Sequence, residues 1–166
     1  RLDLTTGQDT VISSRPGINI RARFSPDGTK IALTLSGTRS PELHILDIKT
    51  GEYTRLTDNY AIDVSPAWSP DGSAIAFVSD SAGNPQIFML NFSDMKLKML
   101  TYGGAFNTSP AWSPDGRRIA FGRQDNGRFN IWMMDPDGSA STQLTFEGNN
   151  KNHSWSPDGR HLIFSS

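Results

Sequence analysis

One phrase recurs four times along the chain and limits the possible folds more than any other feature. It reads Phe24-Ser25-Pro26-Asp27-Gly28, Trp68-Ser69-Pro70-Asp71-Gly72, Trp112-Ser113-Pro114-Asp115-Gly116 and Trp155-Ser156-Pro157-Asp158-Gly159. Each copy predicts a strand, a tight turn and a second strand, such as Ile119-Ala120-Phe121 after the third copy. Pro pre-sets φ at the second turn position, Asp tolerates the third, and Gly supplies the left-handed residue that closes the hairpin. Asp27, Asp71, Asp115 and Asp158 are therefore read as turn builders, and Gly28, Gly72, Gly116 and Gly159 as turn closers. The lead aromatics recur roughly every 44 residues, the period of a repeat with four short strands per unit.

That period extends well beyond the hairpin. Leu2-Asp3-Leu4 stands over Leu46-Asp47-Ile48 and Leu90-Asn91-Phe92, and Ile12-Ser13 over Leu56-Thr57, Leu100-Thr101 and Leu144-Thr145. In the second unit the strands are expected at Pro66–Trp68, Ile75–Ser79, Ile87–Leu90 and Lys98–Thr101. The middle two are nearly continuous in apolar residues, as required of strands covered on both faces. Helical periodicity is missing. The chain is expected to be all-β, a β-propeller of four-stranded blades.

Complete blades are placed at 18–57, 62–101 and 106–145. Residues 1–13 are expected to supply the last two strands of a blade and 149–166 the first two. Two arrangements follow: the ends complete a composite blade, within one chain or between two, or the chain is a piece of a larger propeller. Open strand edges and bare apolar faces favour closure or self-association over a lone arc. The larger-propeller origin is the preferred expectation. A buried Trp removes about 150–250 Å² from water, worth roughly 4–6 kcal/mol gross. Phe24, Trp68, Trp112 and Trp155 are thus expected to dominate the packing between blades.

Composition removes several function classes. Lys+Arg 16 against Asp+Glu 17 leaves no basic footprint for nucleic acid. No apolar run approaches the ~20 residues of a membrane span, so direct insertion is not expected. Cysteine is absent, which removes thiolate zinc sites and cysteine nucleophiles. No Gly-x-Ser-x-Gly elbow, His-Glu-x-x-His pair or phosphate-cradling loop occurs. No catalytic residue, metal ligand or cofactor is assigned, although a cation in a central channel is conceivable. Asp135-Pro136-Asp137-Gly138-Ser139 begins like a calcium loop, but Glu147 falls out of register, so a hairpin turn is the better reading. Of the three histidines, His44 and His161 sit within or at the start of strands. His153 takes the place held by Pro66 and Pro110, near the channel. It is either a binding residue or a hydrogen-bonded structural one.

In a stacked repeat, function falls to the loops before the inner strands, because blade faces are consumed by stacking. Here they are 17–21, 61–65, 105–109 and 148–152, which mix Asn, Thr and Asp with Ile and Phe. Such a mixture suits a peptide or protein partner.

The phrases Pro-Ala-Trp-Ser-Pro-Asp-Gly-x-x-Ile-Ala-Phe and Asn-Asn-Lys-Asn-His-Ser-Trp-Ser-Pro-Asp-Gly-Arg-His-Leu-Ile-Phe resemble the TolB family. Related repeats occur in the propellers of prolyl-oligopeptidase-like peptidases and of oligogalacturonate lyases, so an enzyme's propeller is the alternative. The TolB resemblance implies a periplasmic, non-enzymatic component of the Tol–Pal system of the cell envelope, whose propeller binds the lipoprotein Pal at the channel mouth. It implies Pal contacts at Ile18, Asn19, Arg21, Asp63, Val64, Phe106, Asn107, Thr108, Asn149 and Asn150, with His153 beside them. The first loop departs from the family pattern in lacking a His near position 18.

Overall fold

A computed structural model of the chain describes residues 2–37 and 39–166. The first sheet contains β1 (Asn19–Phe24), β2 (Lys30–Leu35), β3 (Glu42–Asp47) and β4 (Tyr53–Arg55). The second contains β5 (Asp63–Trp68), β6 (Ala74–Ser79), β7 (Gln86–Asn91) and β8 (Leu97–Met99). The third contains β9 (Phe106–Trp112), β10 (Ile119–Asp125), β11 (Arg128–Met134) and β12 (Thr142–Gln143). A two-stranded sheet of β13 (Lys151–Trp155) and β14 (Leu162–Ser165) follows. Within each sheet the strands are antiparallel neighbours in chain order. This is the all-β, four-stranded-blade architecture that the repeat demands.

The Ser-Pro-Asp-Gly turns explain why each hairpin closes where it does. In the third copy the Ser113 hydroxyl donates to Asp115 at 2.6 Å and accepts from the Arg118 N–H at 2.9 Å. Asp115 also accepts from the Arg117 N–H, and Gly116 takes φ 71° while donating to the Ser113 carbonyl. The same bonds recur around Ser25, Ser69 and Ser156. Asp135 to Ser139 likewise closes as a hairpin turn, with Gly138 donating to the Asp135 carbonyl.

Stacking of sheet on sheet buries β2 and β6 on both faces. Between the first two blades Ala32, Leu43, Ile75, Phe77 and Leu90 form one cluster. Between the second and third, Ala76, Val78, Ile87, Leu100, Ile119, Phe121 and Met134 form another. Each large apolar side chain so buried contributes about 1.5–3 kcal/mol. The lead aromatics differ from expectation: Trp68, Trp112 and Trp155 are only half-buried, and Phe24 is 54% exposed. Trp68 and Trp155 are each bonded to the preceding inner strand. Trp68 Nε1 donates to the Arg23 carbonyl at 3.1 Å and Trp155 Nε1 to the Ala111 carbonyl at 3.0 Å. Phe24 has no preceding inner strand to cover it: among the strands of the described residues β1 contacts β2 and β5. The dominant inter-blade packing is made by the second and third strands instead.

The inner strands are longer than the sequence suggests. Residues 63–65 and 106–109, read as loop, belong to β5 and β9. A bulge interrupts each inner strand, and one non-glycine residue there has positive φ: Arg21 (59°), Ser65 (58°), Ser109 (54°) and Asn152 (53°). The bulge resets which face the side chains occupy, so a uniform alternation cannot be followed through it.

At the amino-terminal end, Leu2 pairs with Asp9. This stands one repeat before the Leu46–Tyr53 pair of the first blade. Asp3 N–H donates to the Gln8 carbonyl as Asp47 N–H does to that of Glu52. At the other end β13 contacts β9, β10 and β11 but, among the described residues, nothing in the first sheet. The blades form an open arc. Among the described residues β13 and β14 form a sheet of two strands, with no third strand beside them.

Candidate functional site: the rim before the inner strands

The segments before the inner strands lie at the end of the blades opposite the Ser-Pro-Asp-Gly turns. They are tied to the β2–β3 and β6–β7 connections and to the end of β10 in their own blades. Ile18 N–H donates to the Ser36 hydroxyl, Ile62 N–H to Asp80 at 2.7 Å, and Ala105 N–H to the Gln124 carbonyl. These bonds fix the backbone and leave large apolar side chains outside. Ile18 is 43% exposed, Ile62 47% and Phe106 36%. Tyr60, Tyr102 and Phe146, in the connectors between blades, are more exposed still. Ile18, Ile62 and Phe106 are spaced one repeat apart, so the stacking of blades sets them in a row along the rim.

Four of the expected contact residues do something else. Asn19, Asp63, Asn107 and Asn150 occupy one position of the repeat and hold the connector that enters each inner strand, and Asn107 and Asn150 also reach the preceding blade. Asn107 is fully buried. Its amide donates to Gln86 Oε1 at 2.8 Å in the preceding blade and to the Gly103 carbonyl at 2.6 Å. Gln86 in turn accepts from the Thr101 hydroxyl at 2.7 Å, while that hydroxyl accepts the Ile87 N–H. Asn150 repeats the arrangement with Asn130, the Glu147 carbonyl and Thr145. Asp63, also buried, accepts from Asn59 at 2.9 Å. Beside it the buried Glu42 is ion-paired with Arg55, which also meets Asp58. Asn19 donates to the Arg15 and Gly17 carbonyls. Buried polar groups of this kind must be paired to be tolerated. Asn107 and Asn150 are therefore inter-blade clamps, whereas the Asp63 carboxylate ties down its own connector through Asn59.

The remaining expected residues divide by position. Ile18 and Phe106 stand on the rim. Asn149 is exposed, with its side-chain oxygen accepting the Phe129 N–H at 3.0 Å. Val64 packs against the core between the second and third blades. Thr108 is half-buried beside Ser109. Arg21 and His153 line a cavity of about 490 Å³ along the inner strands, together with Arg23, Pro66, Pro110 and the lead aromatics. Burial pushes the His153 pKa below the ordinary histidine value, partly opposed by the nearby backbone of Ala120 and Ser109. Its ring nitrogens lie near the backbone of Ala120 and Ser109 but make no hydrogen bond of good geometry among the described residues. The three histidines lie apart, and among the described residues no three His, Asp or Glu side chains converge as a metal-ligand group. Sequence reasoning passed over Ile62, Tyr60, Tyr102 and Phe146 as contacts. Their signal was present, since large apolar residues in polar connectors have no core to enter.

Geometry and repeat together make a comparison with known proteins informative. The family model described as the TolB beta propeller domain matches residues 2–166. The chain belongs to the TolB β-propeller family. Its fold superposes on TolB from Acinetobacter baumannii with a TM-score of 0.88 and 34% identity. That match covers 97% of this chain and 41% of the Acinetobacter protein. A putative TolB from Agrobacterium tumefaciens aligns with a TM-score of 0.79 at 24% identity, over 92% of this chain and 61% of that one. The chain thus spans about two fifths to three fifths of these TolB structures. An oligogalacturonate lyase from Vibrio parahaemolyticus shares the fold at 15% identity, with a TM-score of 0.76 over 98% of this chain and 50% of the lyase. At that identity the likeness shows the fold alone. A comparison with curated proteins gave no match.

Proposed function

We propose that this chain is a non-enzymatic protein-binding scaffold, a periplasmic TolB-type component of the Tol–Pal system that binds a Pal-type lipoprotein on the rim. The observation that carries the reading is the row Ile18, Ile62 and Phe106, exposed on backbone fixed by hydrogen bonds. Apolar anchors held on rigid backbone inside a polar surround are what protein interfaces use, because little conformational entropy is lost on docking. Membership in the TolB family supplies the class of partner. The buried Asn107 and Asn150 keep adjacent blades in register, and so keep the anchors in line.

Calorimetric titration with a purified Pal-type periplasmic domain tests this directly. Binding is expected, and Ile18→Glu combined with Ile62→Glu is expected to weaken it by about tenfold or more without lowering the melting temperature. No heat of binding to a Pal-type domain, or binding indifferent to both substitutions, overturns the reading.

A further inference from the structure

The repeat departs from its own pattern at three positions, and the fold brings all three together. Gly122 on β10 stands where Thr34 and Val78 stand in the preceding blades. Phe129, at the start of β11, replaces Pro41 and Pro85. Lys151 on β13 replaces Val64 and Thr108. Where sequence breaks a rule that its own repeats otherwise keep, function is the usual reason.

At this joint, between the third blade and the two-stranded sheet, the three residues border a cavity of about 200 Å³. Phe106 and Phe129 meet edge to face at its mouth, with ring centroids 5.9 Å apart. Lys151 lies over the Phe129 ring, Nζ 4.7 Å from its centre, and makes no ion pair among the described residues. Gly122 carries no side chain where Thr34 and Val78 do, which lets the Thr108 methyl and the Phe129 ring close in beside the cavity. A Cβ there would come within 3.3 Å of the Thr108 methyl and 3.8 Å of Phe129. His153 also borders the cavity, its ring nitrogens unpartnered. No carboxylate is among the lining residues.

We propose that this cavity is a pocket for one apolar side chain of a partner peptide, flanked by an acidic residue that pairs with Lys151. The volume falls below the about 300–1,000 Å³ typical of small-molecule sites, and suits a single side chain. The edge-to-face phenylalanines form an apolar wall, and the unpaired ammonium beside a carboxylate-free lining selects a negative neighbour. The proposal rests on reading this rim as a protein-docking face, and adds to it the chemistry of one anchor.

The test uses blocked dipeptides titrated into the isotopically labelled chain and followed by amide chemical shifts. Acetyl-Glu-Leu-amide is expected to shift Gly122, Phe129 and Lys151. Acetyl-Lys-Leu-amide and acetyl-Glu-Ala-amide are expected to bind about tenfold more weakly or worse. Gly122→Val, which installs the residue native at position 78, is expected to abolish binding. Lys151→Glu, an exposed change that keeps the proposal testable should Gly122→Val fail to fold, is expected to invert the preference between the Glu and Lys peptides. Equal binding of all three peptides, or the same selectivity in Lys151→Glu, overturns the pocket. A Pal-type domain titrated in parallel separates the two readings. Domain binding without peptide selectivity overturns the pocket and keeps the docking face; peptide selectivity without domain binding keeps the pocket and overturns the partner.

Discussion

Replacing Asn107 with Ala tests whether the blades are held in register by a buried amide. The side chain donates two hydrogen bonds, to Gln86 Oε1 at 2.8 Å and to the Gly103 carbonyl at 2.6 Å, while its own oxygen has no partner. The stabilisation therefore resides in the two N–H donors. Each such bond contributes about 0.5–1.5 kcal/mol net, and an abandoned buried acceptor adds a desolvation penalty of about 1–3 kcal/mol. Gln86 still receives the Thr101 hydroxyl, so the Gly103 carbonyl bears most of that penalty. The expected loss is about 2–4 kcal/mol, or roughly 5–15 °C in melting temperature for a chain of this size. Asn107→Asp separates hydrogen bonding from packing, since it keeps the shape and turns the donors into acceptors facing two acceptors. It is expected to destabilise at least as much as Ala.

The second blade shows how to compensate. There Asp63 occupies the same repeat position and accepts from Asn59, the counterpart of Gly103. Adding Gly103→Asn to Asn107→Asp rebuilds that pair, with the Arg123 side chain nearest to the added Cβ, and is expected to recover about 1 kcal/mol through coupling. Urea and thermal unfolding followed by circular dichroism measure the parent chain, Asn107→Ala, Asn107→Asp, Gly103→Asn and the double variant. A loss below about 0.5 kcal/mol for Asn107→Ala, or strict additivity in the double variant, refutes the clamp.

Two further outcomes follow from the turns. A methyl group added at Gly17 would lie 1.8 Å from the Ser36 carbonyl oxygen, at φ 92°, whereas Gly28 at φ 71° has nothing within 4 Å. Gly28→Ala is expected to lose about 1–2 kcal/mol from backbone strain alone, and Gly17→Ala clearly more, as read by urea midpoints. The turn carboxylates predict acid sensitivity. The Ser25 hydroxyl, then the Thr29 N–H and hydroxyl, hold Asp27 at about 2, and hydroxyls of Ser69, Ser113 and Ser156 likewise lower Asp71, Asp115 and Asp158. Because the folded values lie below the unfolded ones, the unfolded chain binds more protons. The stabilisation is complete above the ordinary carboxylate value of 3.8 and is lost as pH falls toward 2. Unfolding midpoints should drop over that interval and drop less in Ser25→Ala; a flat profile would contradict the turn bonding.

The Ser-Pro-Asp-Gly turns were legible residue by residue because their bonds are local: Ser113, Asp115 and Gly116 satisfy one another within six residues. Period and apolar runs were equally local, and they specified strand order within each blade and the stacked architecture. The clamp positions are not legible from sequence, for a physical reason. Asn107 looks like a loop amide until the preceding blade delivers Gln86, 21 residues away in sequence. Likewise the left-handed bulges at Arg21, Ser65, Ser109 and Asn152 carry no glycine to announce them, so strand was taken for loop. The partial exposure of Trp68 and Trp155 also depended on where a neighbouring carbonyl lay.

What the sequence determined by itself is the repeat, its turns and its all-β character, since these rest on contacts between residues close along the chain. Tertiary structure alone decided which polar residues lock the blades and which apolar ones remain on the rim. It also decided that Gly122, Phe129 and Lys151 border one cavity. These outcomes depend on the surface each blade presents to the next, and no single repeat contains both sides of that joint.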